Sequence, residues 1–403
     1  MLLKKSTTLA VVSGLLLASM AAGAETVKIG ALMPLTGGLQ SYGEACLNGV
    51  KMAVDEINAG GGLLGEAVVL QVGDTQTKAQ PALDAAKKLV SIEGVAGIVG
   101  ALSSGNTIPV AQTIAAAYGV PLVSPASTAP TITHLADKDF LFRTVPSDAF
   151  QGVALAKVVS EQGFKKVAVL YVNNDYGQGL AESFSATFTN DYAGTVTGQA
   201  AFEPNNASYR GELSQLASGG PEALLLISYP DDGGIVIVRQ SLEEGLFGSF
   251  IFTDGMKAEK VVETIGAQYL DGTFGTSPKA LDTDTAQMFK TLYEKTFGEL
   301  PPRPYIDSSY DATAVLLLAI AKANSTEGGA VRDALREVTN APGLEIKPGE
   351  LAKGLAAIKN GDDINYVGAA GDHEFDANGD VSGTFEHWHI KDGKLETVTV
   401  FAP

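Results

Sequence analysis

Short runs of β-branched and aliphatic residues alternate with amphipathic helical patterns along most of this chain, and the alternation starts twice. Residues 27–32 predict a strand, and residues 41–58 predict a helix with apolar side chains at helical spacing. The same pattern restarts after residues 143–146 and continues to a strand at 250–253. Strands that alternate with helices form parallel sheets covered on both faces. The sequence therefore predicts an α/β fold of two successive lobes, each built on a doubly wound parallel sheet.

The last third of the chain adds more helices and then two strands. Helical patterns cover residues 285–297, 308–323 and 330–338, and strand-like patterns cover 384–390 and 395–401. At 403 residues the chain is longer than a single core usually supports, which also favours two domains. No long linker separates the two patterns, so we expect the lobes to be joined by short crossing strands.

The N-terminus has the pattern of a secretory signal peptide. Lys4 and Lys5 precede an apolar run over residues 9–22, and small residues at positions 22–24 form a cleavage site before Glu25. A membrane anchor is the alternative, but the apolar run is shorter than the ~20 residues that a spanning helix needs. We predict a signal peptide at 1–24 and an exported, soluble mature chain.

Charge and cysteine content exclude several kinds of partner and site. The formal net charge is −18, and removal of Lys4 and Lys5 with the signal peptide makes it more negative. Nucleic acid is not expected to bind, because phosphate binding needs a clustered cationic surface. Cys46 is the single cysteine, which rules out an internal disulfide, and its apolar helical surroundings predict a buried thiol.

Three short motifs resemble known sites but lack the context those sites need. The glycines at 60–65 follow a predicted helix, whereas a dinucleotide fingerprint follows a strand, so we interpret them as a helix end. Residues 376–380 begin like a calcium loop but lack its later Gly and Glu, which favours a turn. His387 and His389 have no acidic or cysteine partner at ligand spacing. We predict no metal and no cofactor.

Polar clusters follow two predicted strands of the first lobe. Ser103 and Ser104 come after a strand at 97–100, and residues 124–130, which include Thr128, come after a strand at 121–123. Ligands of open α/β sheets bind outside the carboxyl ends of the strands. Hydroxyl groups and free backbone N–H groups at helix starts suit a carboxylate. Simple capping of the helices by Ser and Thr is the alternative interpretation.

The second lobe has aromatic and acidic side chains at the corresponding positions. Tyr176, Tyr229 and Asp254 each follow a predicted strand of this lobe. Aromatic rings together with one carboxylate suit an ammonium group, through cation-π attraction and ion pairing. The two lobes together therefore predict a site for a ligand that carries both a carboxylate and an amine.

In combination these segments resemble the branched-chain amino-acid-binding proteins of ABC importers, which have the type I periplasmic-binding-protein fold. The resemblance spans nearly all of the mature chain, and it rests on these segments: Ile29-Gly30-Ala31-Leu32-Met33-Pro34-Leu35-Thr36-Gly37, Tyr42-Gly43, Ala53-Val54-Asp55-Glu56-Ile57-Asn58-Ala59-Gly60-Gly61, the Ser103-Ser104 pair, Ser124-Pro125-Ala126-Ser127-Thr128, Asp175-Tyr176-Gly177-Gln178-Gly179 and Thr253-Asp254-Gly255.

The resemblance implies seven ligand-binding residues: Tyr42, Ser104, Ala126, Thr128, Tyr176, Tyr229 and Asp254. Asp254 would face the ligand ammonium group, at a position where related proteins more often have Glu. Ser104, Ala126 and Thr128 would surround the ligand carboxylate and ammonium, and the three tyrosines would form walls. Asp307 aligns with an aromatic wall of related proteins; the alternative is that Asp307 caps the helix that begins near Ser308.

The resemblance also implies how the chain is divided and what it does. Crossovers near 143–147, 275–278 and 367–373 would give a first lobe of residues 25–146 and 278–370 and a second lobe of residues 147–277 and 371–403. The expected protein is a periplasmic monomer that closes on a small amino acid, branched-chain or other, and delivers it to an ABC permease in the inner membrane.

Two other functions stay open at this point. The same fold could serve as a receptor for an amide, a urea or an aromatic acid, and Asp254 would then contribute little to binding. A hydrolytic enzyme with paired carboxylates is the third possibility, but the sequence offers no defensible acid and base pair. We therefore predict a binding protein and no enzymatic activity.

Overall fold

The computed structural model describes residues 26–403. The predicted signal peptide at 1–24 lies outside the described residues. Within residues 26–403 no helix is both long enough and apolar enough to cross a membrane.

The first sheet has five parallel strands in the order β2-β1-β3-β4-β5. All five come from the first part of the chain: β1 (Lys28–Met33), β2 (Val69–Asp74), β3 (Ile98–Gly100), β4 (Leu122–Ser124) and β5 (Leu141–Arg143). The sequence pattern predicted the first four, and β5 was not predicted. Strands β3, β4 and β5 are buried throughout, which agrees with their continuous apolar runs.

The second sheet has seven strands in the order β14-β13-β10-β9-β8-β6-β7. The strands are β6 (Lys166–Val172), β7 (Thr195–Phe202), β8 (Ala223–Ile227), β9 (Phe250–Phe252), β10 (Phe274–Pro278), β13 (Phe385–Lys391) and β14 (Lys394–Phe401). Strands β6 to β10 are parallel, whereas β13 pairs antiparallel with both β10 and β14. The prediction of two parallel-sheet lobes is therefore confirmed, with an antiparallel hairpin added at one edge of the second sheet.

The helices lie between the strands and flank the sheets. Their bounds are α1 (Gln40–Ala59), α2 (Ala79–Lys88), α3 (Ser104–Val110), α4 (Ala116–Tyr118), α5 (Asp148–Glu161), α6 (Asp175–Asn190), α7 (Arg210–Ala217), α8 (Ile235–Glu243), α9 (Glu259–Ile265), α10 (Ala267–Leu270), α11 (Asp284–Phe297), α12 (Ile306–Ala323), α13 (Gly328–Thr339) and α14 (Leu351–Asn360). A π-helical segment, Ala111–Ala115, joins α3 to α4.

The chain returns to the first sheet after β10. Helix α12 is buried along most of its length and packs against α1, β3 and β4. A small parallel pair, β11 (Leu344–Ile346) and β12 (Ile364–Tyr366), packs against α13 and α14. The loop that follows β12 also stays on this side, because the Phe375 ring packs on Phe142 at 5.0 Å and the N–H of Arg143 donates to the Gly379 carbonyl at 3.0 Å.

The structure confirms the interpretations of the glycine motif at 60–65 as a helix end and of the acidic motif at 376–380 as a turn. Helix α1 ends at Ala59, and Gly61 and Gly62 then take φ values of 109° and 77°, which favour glycine. The Asp376 carboxylate accepts the N–H groups of Asn378 and Asp380, as in a turn. Within the described part of the chain, no group of His, Cys, Asp and Glu side chains could hold a metal ion.

Candidate ligand-binding site

A small cavity lies between the two sheets, where the carboxyl ends of β3, β4, β6, β8 and β9 come together. Its free volume is about 20 Å³, which is room for about one water molecule. The residues that line it are Leu39, Tyr42, Leu102, Ser104, Ala126, Tyr176, Tyr229, Asp254, Gly255 and Tyr305. Six of the seven predicted ligand-binding residues are in this set, and Thr128 is the exception.

The carboxylate of Asp254 is the electrostatic centre of this cavity. The Tyr305 hydroxyl donates to Oδ2 at 2.7 Å, and the Gln151 amide and the Tyr176 hydroxyl donate to Oδ1 at 2.8 and 3.0 Å. Burial raises the pKa of Asp254, although the hydrogen bonds from Tyr305, Gln151 and Tyr176 oppose this shift. The ten lining residues include no Lys, Arg or His. Asp254 thus has neutral donors and lacks a cation within the cavity wall.

Two further tyrosines bridge the sheets across the cavity. Tyr42, in the first turn of α1, donates its hydroxyl to the backbone carbonyls of Asp254 and Gly255 at 2.9 and 3.1 Å. Tyr229, which follows β8, shares a hydrogen bond of 3.1 Å with the Ser103 hydroxyl of the opposite side. These contacts hold the cavity closed.

Tyr176 and Tyr229 stack on each other, with ring centroids 5.4 Å apart and an interplanar angle of 12°. Tyr176 lies in the first turn of α6, where the Asn174 side chain caps the helix by accepting the N–H of Gly177. The short loops after β6 and β8 therefore bring two predicted residues together as one aromatic wall.

The hydroxyl groups on the first-sheet side bond to neighbouring loops. Ser103 is the N-cap residue of α3 but makes no side-chain capping bond, so the capping alternative is wrong at this position. Ser104 Oγ instead accepts the N–H of Ala129 at 3.1 Å, and Ser124 Oγ donates to the Ala101 carbonyl at 2.7 Å. These bonds tie the loops after β3 and β4 to each other.

Thr128 is buried behind the cavity wall. Its hydroxyl donates to Oδ2 of Asp148 at 2.8 Å, and the N–H of Asp148 donates to the Thr128 carbonyl at 2.7 Å. Burial, followed by the charge of Asp254, raises the pKa of Asp148 well above its ordinary value. Asp148 therefore forms a second buried carboxylate behind the cavity, and Thr128 links it to the loop after β4.

Sequence reasoning missed the two side chains Tyr305 and Gln151 that bind Asp254, and it misplaced Asp307. Asp307 does not line this cavity, so its alignment with an aromatic wall is wrong; Tyr305, two residues earlier, is the aromatic side chain there. Asp307 is not the N-cap residue, because α12 begins at Ile306, but its carboxylate accepts the N–H of Ser308 at 2.9 Å in the first turn, as the capping alternative expected. An aromatic residue after a proline, just before a helix, was the available signal.

Comparisons with a family model and with known relatives agree on one family. The model of a family described as periplasmic binding protein matches residues 26–363. A Leu/Ile/Val-binding protein of Rhizobium johnstonii, BraC3, is 32% identical over 322 residues, which cover 78% of this chain and 85% of that protein. A leucine-, isoleucine-, valine-, threonine- and alanine-binding protein of Pseudomonas aeruginosa is 29% identical over 326 residues, covering 80% of this chain and 85% of that protein.

Solved structures with the same fold support the same family. The leucine binding protein LivK of Thermotoga maritima superposes with a TM-score of 0.79 at 28% identity, covering 94% of this chain and 99% of that one. The branched-chain amino acid transporter substrate binding protein LivJ of Streptococcus pneumoniae, in complex with isoleucine, superposes with a TM-score of 0.77 at 25% identity and covers 94% of this chain and all of that one.

Proposed function

This chain belongs to the periplasmic binding protein family, and from that premise we propose that it is the substrate-binding protein of an ABC importer for a small amino acid, branched-chain or other. The relatives and structures reported above are named for binding leucine, isoleucine, valine and other amino acids. Their names describe binding, and we propose binding without catalysis for this chain as well.

One observation carries the choice of an amino-acid ligand. Asp254 is buried at a cavity that has no cationic side chain in its wall. A buried carboxylate is costly unless a cation pairs with it. A ligand ammonium group supplies the missing charge, whereas a neutral amide or an aromatic acid does not.

The remaining predicted residues have complementary roles in this proposal. The ligand carboxylate would bind near Ser104, where the helix that continues through residues 111–118 begins with free N–H groups. Ala126 and Thr128 belong to the adjoining loop; Ala126 lines the cavity, and Thr128 would hold this loop in place through its hydrogen bond to Asp148. Tyr42, Tyr176 and Tyr229 would enclose the ligand side chain, together with Tyr305.

We also propose that two lobes close on the ligand about the three chain crossovers. The lobes would comprise residues 25–146 with 278–370, and residues 147–277 with 371–403. The contacts of Phe375 and Gly379 with the first sheet support a third crossover later than 367–373, just before β13. Hinge closure around a bound ligand is a common mechanism for such an arrangement.

The same proposal covers location and partners. The predicted signal peptide at 1–24 would direct the chain to the periplasm and be cleaved there. The mature protein would act as a monomer and dock in its closed form on an ABC permease of the inner membrane. ATP hydrolysis would then belong to a separate subunit of the importer.

A ligand screen followed by Asp254→Asn tests this function. Thermal shifts against the common amino acids, small amides and aromatic acids should identify at least one compound with both an amine and a carboxylate, because binding stabilises the folded state by ~2.7 kcal/mol at a hundredfold excess over Kd. In calorimetry, Asp254→Asn should weaken binding of that compound roughly a hundredfold, since it removes the countercharge of a buried ammonium.

Ser104→Ala is the matched comparison for this test. It should weaken binding less than Asp254→Asn, because backbone N–H groups would still hold the ligand carboxylate. If only neutral amides or aromatic acids raise the melting temperature, or if Asp254→Asn binds the amino acid as tightly as the wild type, the amino-acid assignment is wrong and the amide or aromatic-acid receptor replaces it.

A further inference from the structure

A second and larger cleft lies beside the chain crossovers and does not include Asp254. We call it the rear cleft; its free volume is about 460 Å³, within the range of small-molecule sites. One wall comes from α11 and the segment before α12, including Phe289 and Pro304, and the other comes from β13 and β14, including Glu386 and Leu395. The rear cleft is therefore bounded by segments from both sides of the crossovers.

A narrow cavity among the crossovers adjoins both this cleft and the front cavity. It is lined by residues of all three connections, including Pro146, Lys279 and Thr384. Tyr305 lines both this cavity and the cavity around Asp254, while Lys279 lines both this cavity and the rear cleft. The rear cleft and the cavity around Asp254 therefore both adjoin the hinge that we propose.

Two ammonium groups share one carboxylate on the floor of the rear cleft. Glu386 is 1% exposed and accepts hydrogen bonds from the Ser277 and Thr397 hydroxyls, both at 2.6 Å, as well as from Lys257 and from Lys279 at 3.3 Å. Burial would raise the pKa of Glu386, but the charges of Lys257 and Lys279 lower it below its ordinary value. The three charged side chains of the floor, Lys257, Lys279 and Glu386, thus have a net charge of +1.

Lys257 is the least expected member of this group. It is 4% exposed, and Glu386 is the acceptor that the structure gives it. An ammonium group has three donors, and a buried cation with unused donors is costly. Because Lys257 lines the rear cleft, its remaining N–H groups can reach an acceptor placed there.

We propose that the rear cleft is a second ligand site, for a small organic carboxylate whose oxygens bind Lys257 and Lys279 and whose apolar part packs on Phe289 and Leu395. The excess positive charge of the floor selects an anion, and the apolar walls select a carbon skeleton over an inorganic ion. Asp282 and Asp307 also line the cleft and oppose an anion there. Burial and the charge of Asp311 raise the pKa of Asp307, which weakens this opposition.

Occupation of the rear cleft should favour the closed form of the protein. The rear cleft has walls from both sides of the crossovers in this closed arrangement, so a molecule that contacts both walls resists their separation on opening. This step rests on the amino-acid-binding function proposed above. A carboxylate in the rear cleft should then increase affinity for the front ligand, and the front ligand should increase affinity for the carboxylate by the same factor.

Fluorine NMR with 4-fluorobenzoate as the probe tests the rear site directly, without any front ligand. We expect wild-type protein to bind the probe and Lys279→Met to bind it roughly tenfold more weakly, because a charge-assisted hydrogen bond is lost. Lys279 is partly exposed, so the variant should fold. Lys290→Met, at the rim of the cleft, is the matched control and should change little, and Asp307→Asn should bind the probe at least as tightly.

Two results would overturn the rear site. The first is a wild-type protein that does not bind the probe. The second is equal binding of the probe by wild type and Lys279→Met, combined with displacement of the probe by the amino acid found in the screen. That second result would assign the probe to the front cavity. An amino acid that binds the front cavity with unchanged affinity at saturating probe would refute the coupling alone. Failure of the amino-acid screen would leave probe binding measurable, so the two proposals fail separately.

Discussion

At the level of single residues, the site consists of a carboxylate that closure buries without a countercharge. Three neutral donors, from Tyr305, Gln151 and Tyr176, stabilise Asp254, and the second buried carboxylate, Asp148, raises the cost of its ionisation. Neutral hydrogen bonds replace part of the lost hydration, but they do not replace a cation. Closure with a bound ammonium is therefore favoured over closure without one.

The raised pKa of Asp254 gives the ligand effect a definite pH dependence. A carboxyl group whose folded-state pKa is raised favours folding below its unfolded pKa of about 3.9, and that contribution is lost as pH rises through the folded pKa. The ligand ammonium pairs with the ionised form alone. The increase in melting temperature caused by ligand should therefore be small in acid and grow as pH rises through the raised pKa.

Melting temperatures with and without ligand, measured from pH 4 to 8, check this dependence. Asp254→Asn should show a small ligand effect that hardly changes with pH. A ligand effect of the same size in acid and at neutral pH in the wild type would mean that Asp254 does not pair with the ligand.

Tyr42 allows closure to be tested separately from ligand chemistry. Its hydroxyl bonds to the Asp254 and Gly255 carbonyls across the cavity, and this bond requires the closed form. Tyr42→Phe should cost about 0.5–1.5 kcal/mol of ligand affinity, or roughly three- to tenfold in Kd by calorimetry. Tyr209→Phe is the control, since its hydroxyl bonds to the Glu203 carbonyl within the second-sheet side; it should lower stability and leave Kd unchanged.

The sequence predicted most of the residues that line the cavity, for a physical reason. Tyr42, Ser104, Ala126, Tyr176, Tyr229 and Asp254 all line it. All but Tyr42 lie just beyond the carboxyl ends of strands, where parallel sheets place their loops together. Tyr305 and Gln151 lie at or within helices that approach the cavity from the side, and only the packing of α5 and α12 defines their position.

At the level of elements, the loop after β4 is held by a buried arginine. Arg143, at the end of β5, is fully buried; it donates to the Ala129 carbonyl at 3.1 Å and forms an ion pair with Asp380 at 2.6 Å. Asp380 ends the turn that resembles a calcium loop. The turn therefore supplies the counterion that allows Arg143 to support the ligand-side loop.

Asp380→Ala should strongly destabilise the protein, because it leaves the Arg143 guanidinium buried without a counterion. Loss of one partner from a buried pair typically costs about 3–5 kcal/mol. The matched control is Glu243→Ala, which removes a partner of Arg210 in a surface pair and should change stability by at most about 1 kcal/mol. Urea unfolding of both variants checks the difference, and similar losses in the two would contradict the role of Arg143 and Asp380.

The sequence did not predict strand pairing between distant segments or some short helices. The pairing of β13 with β10 joins residues that are more than a hundred positions apart, so local patterns gave the strand but not its direction. Helices α9 and α14 are short, and neither was predicted. The long periodic helices, such as α1 and α12, were predicted to within two residues at each end.

For the whole molecule, the closed arrangement has a cost that only the ligand can offset. Bonds from Tyr42, Ser103 and Tyr305 cross between the two sides, yet the enclosed cavity of about 20 Å³ has no room for an amino acid to enter. The protein must therefore open to load its ligand. Without a ligand, closure buries Asp254 and Asp148 together without a cation at the cavity, which favours open forms.

This balance predicts a measurable change of shape. Small-angle X-ray scattering of the mature protein should show a monomer whose radius of gyration decreases when the amino acid found by screening is added, because the ligand shifts the population from open to closed forms. Asp254→Asn should keep the larger radius at the same ligand concentration, since the closed form gains no ion pair, and it should contract only if far more ligand is supplied. A radius that stays constant up to saturation in the wild type would contradict closure on the ligand, and a mass of two chains would contradict the monomer.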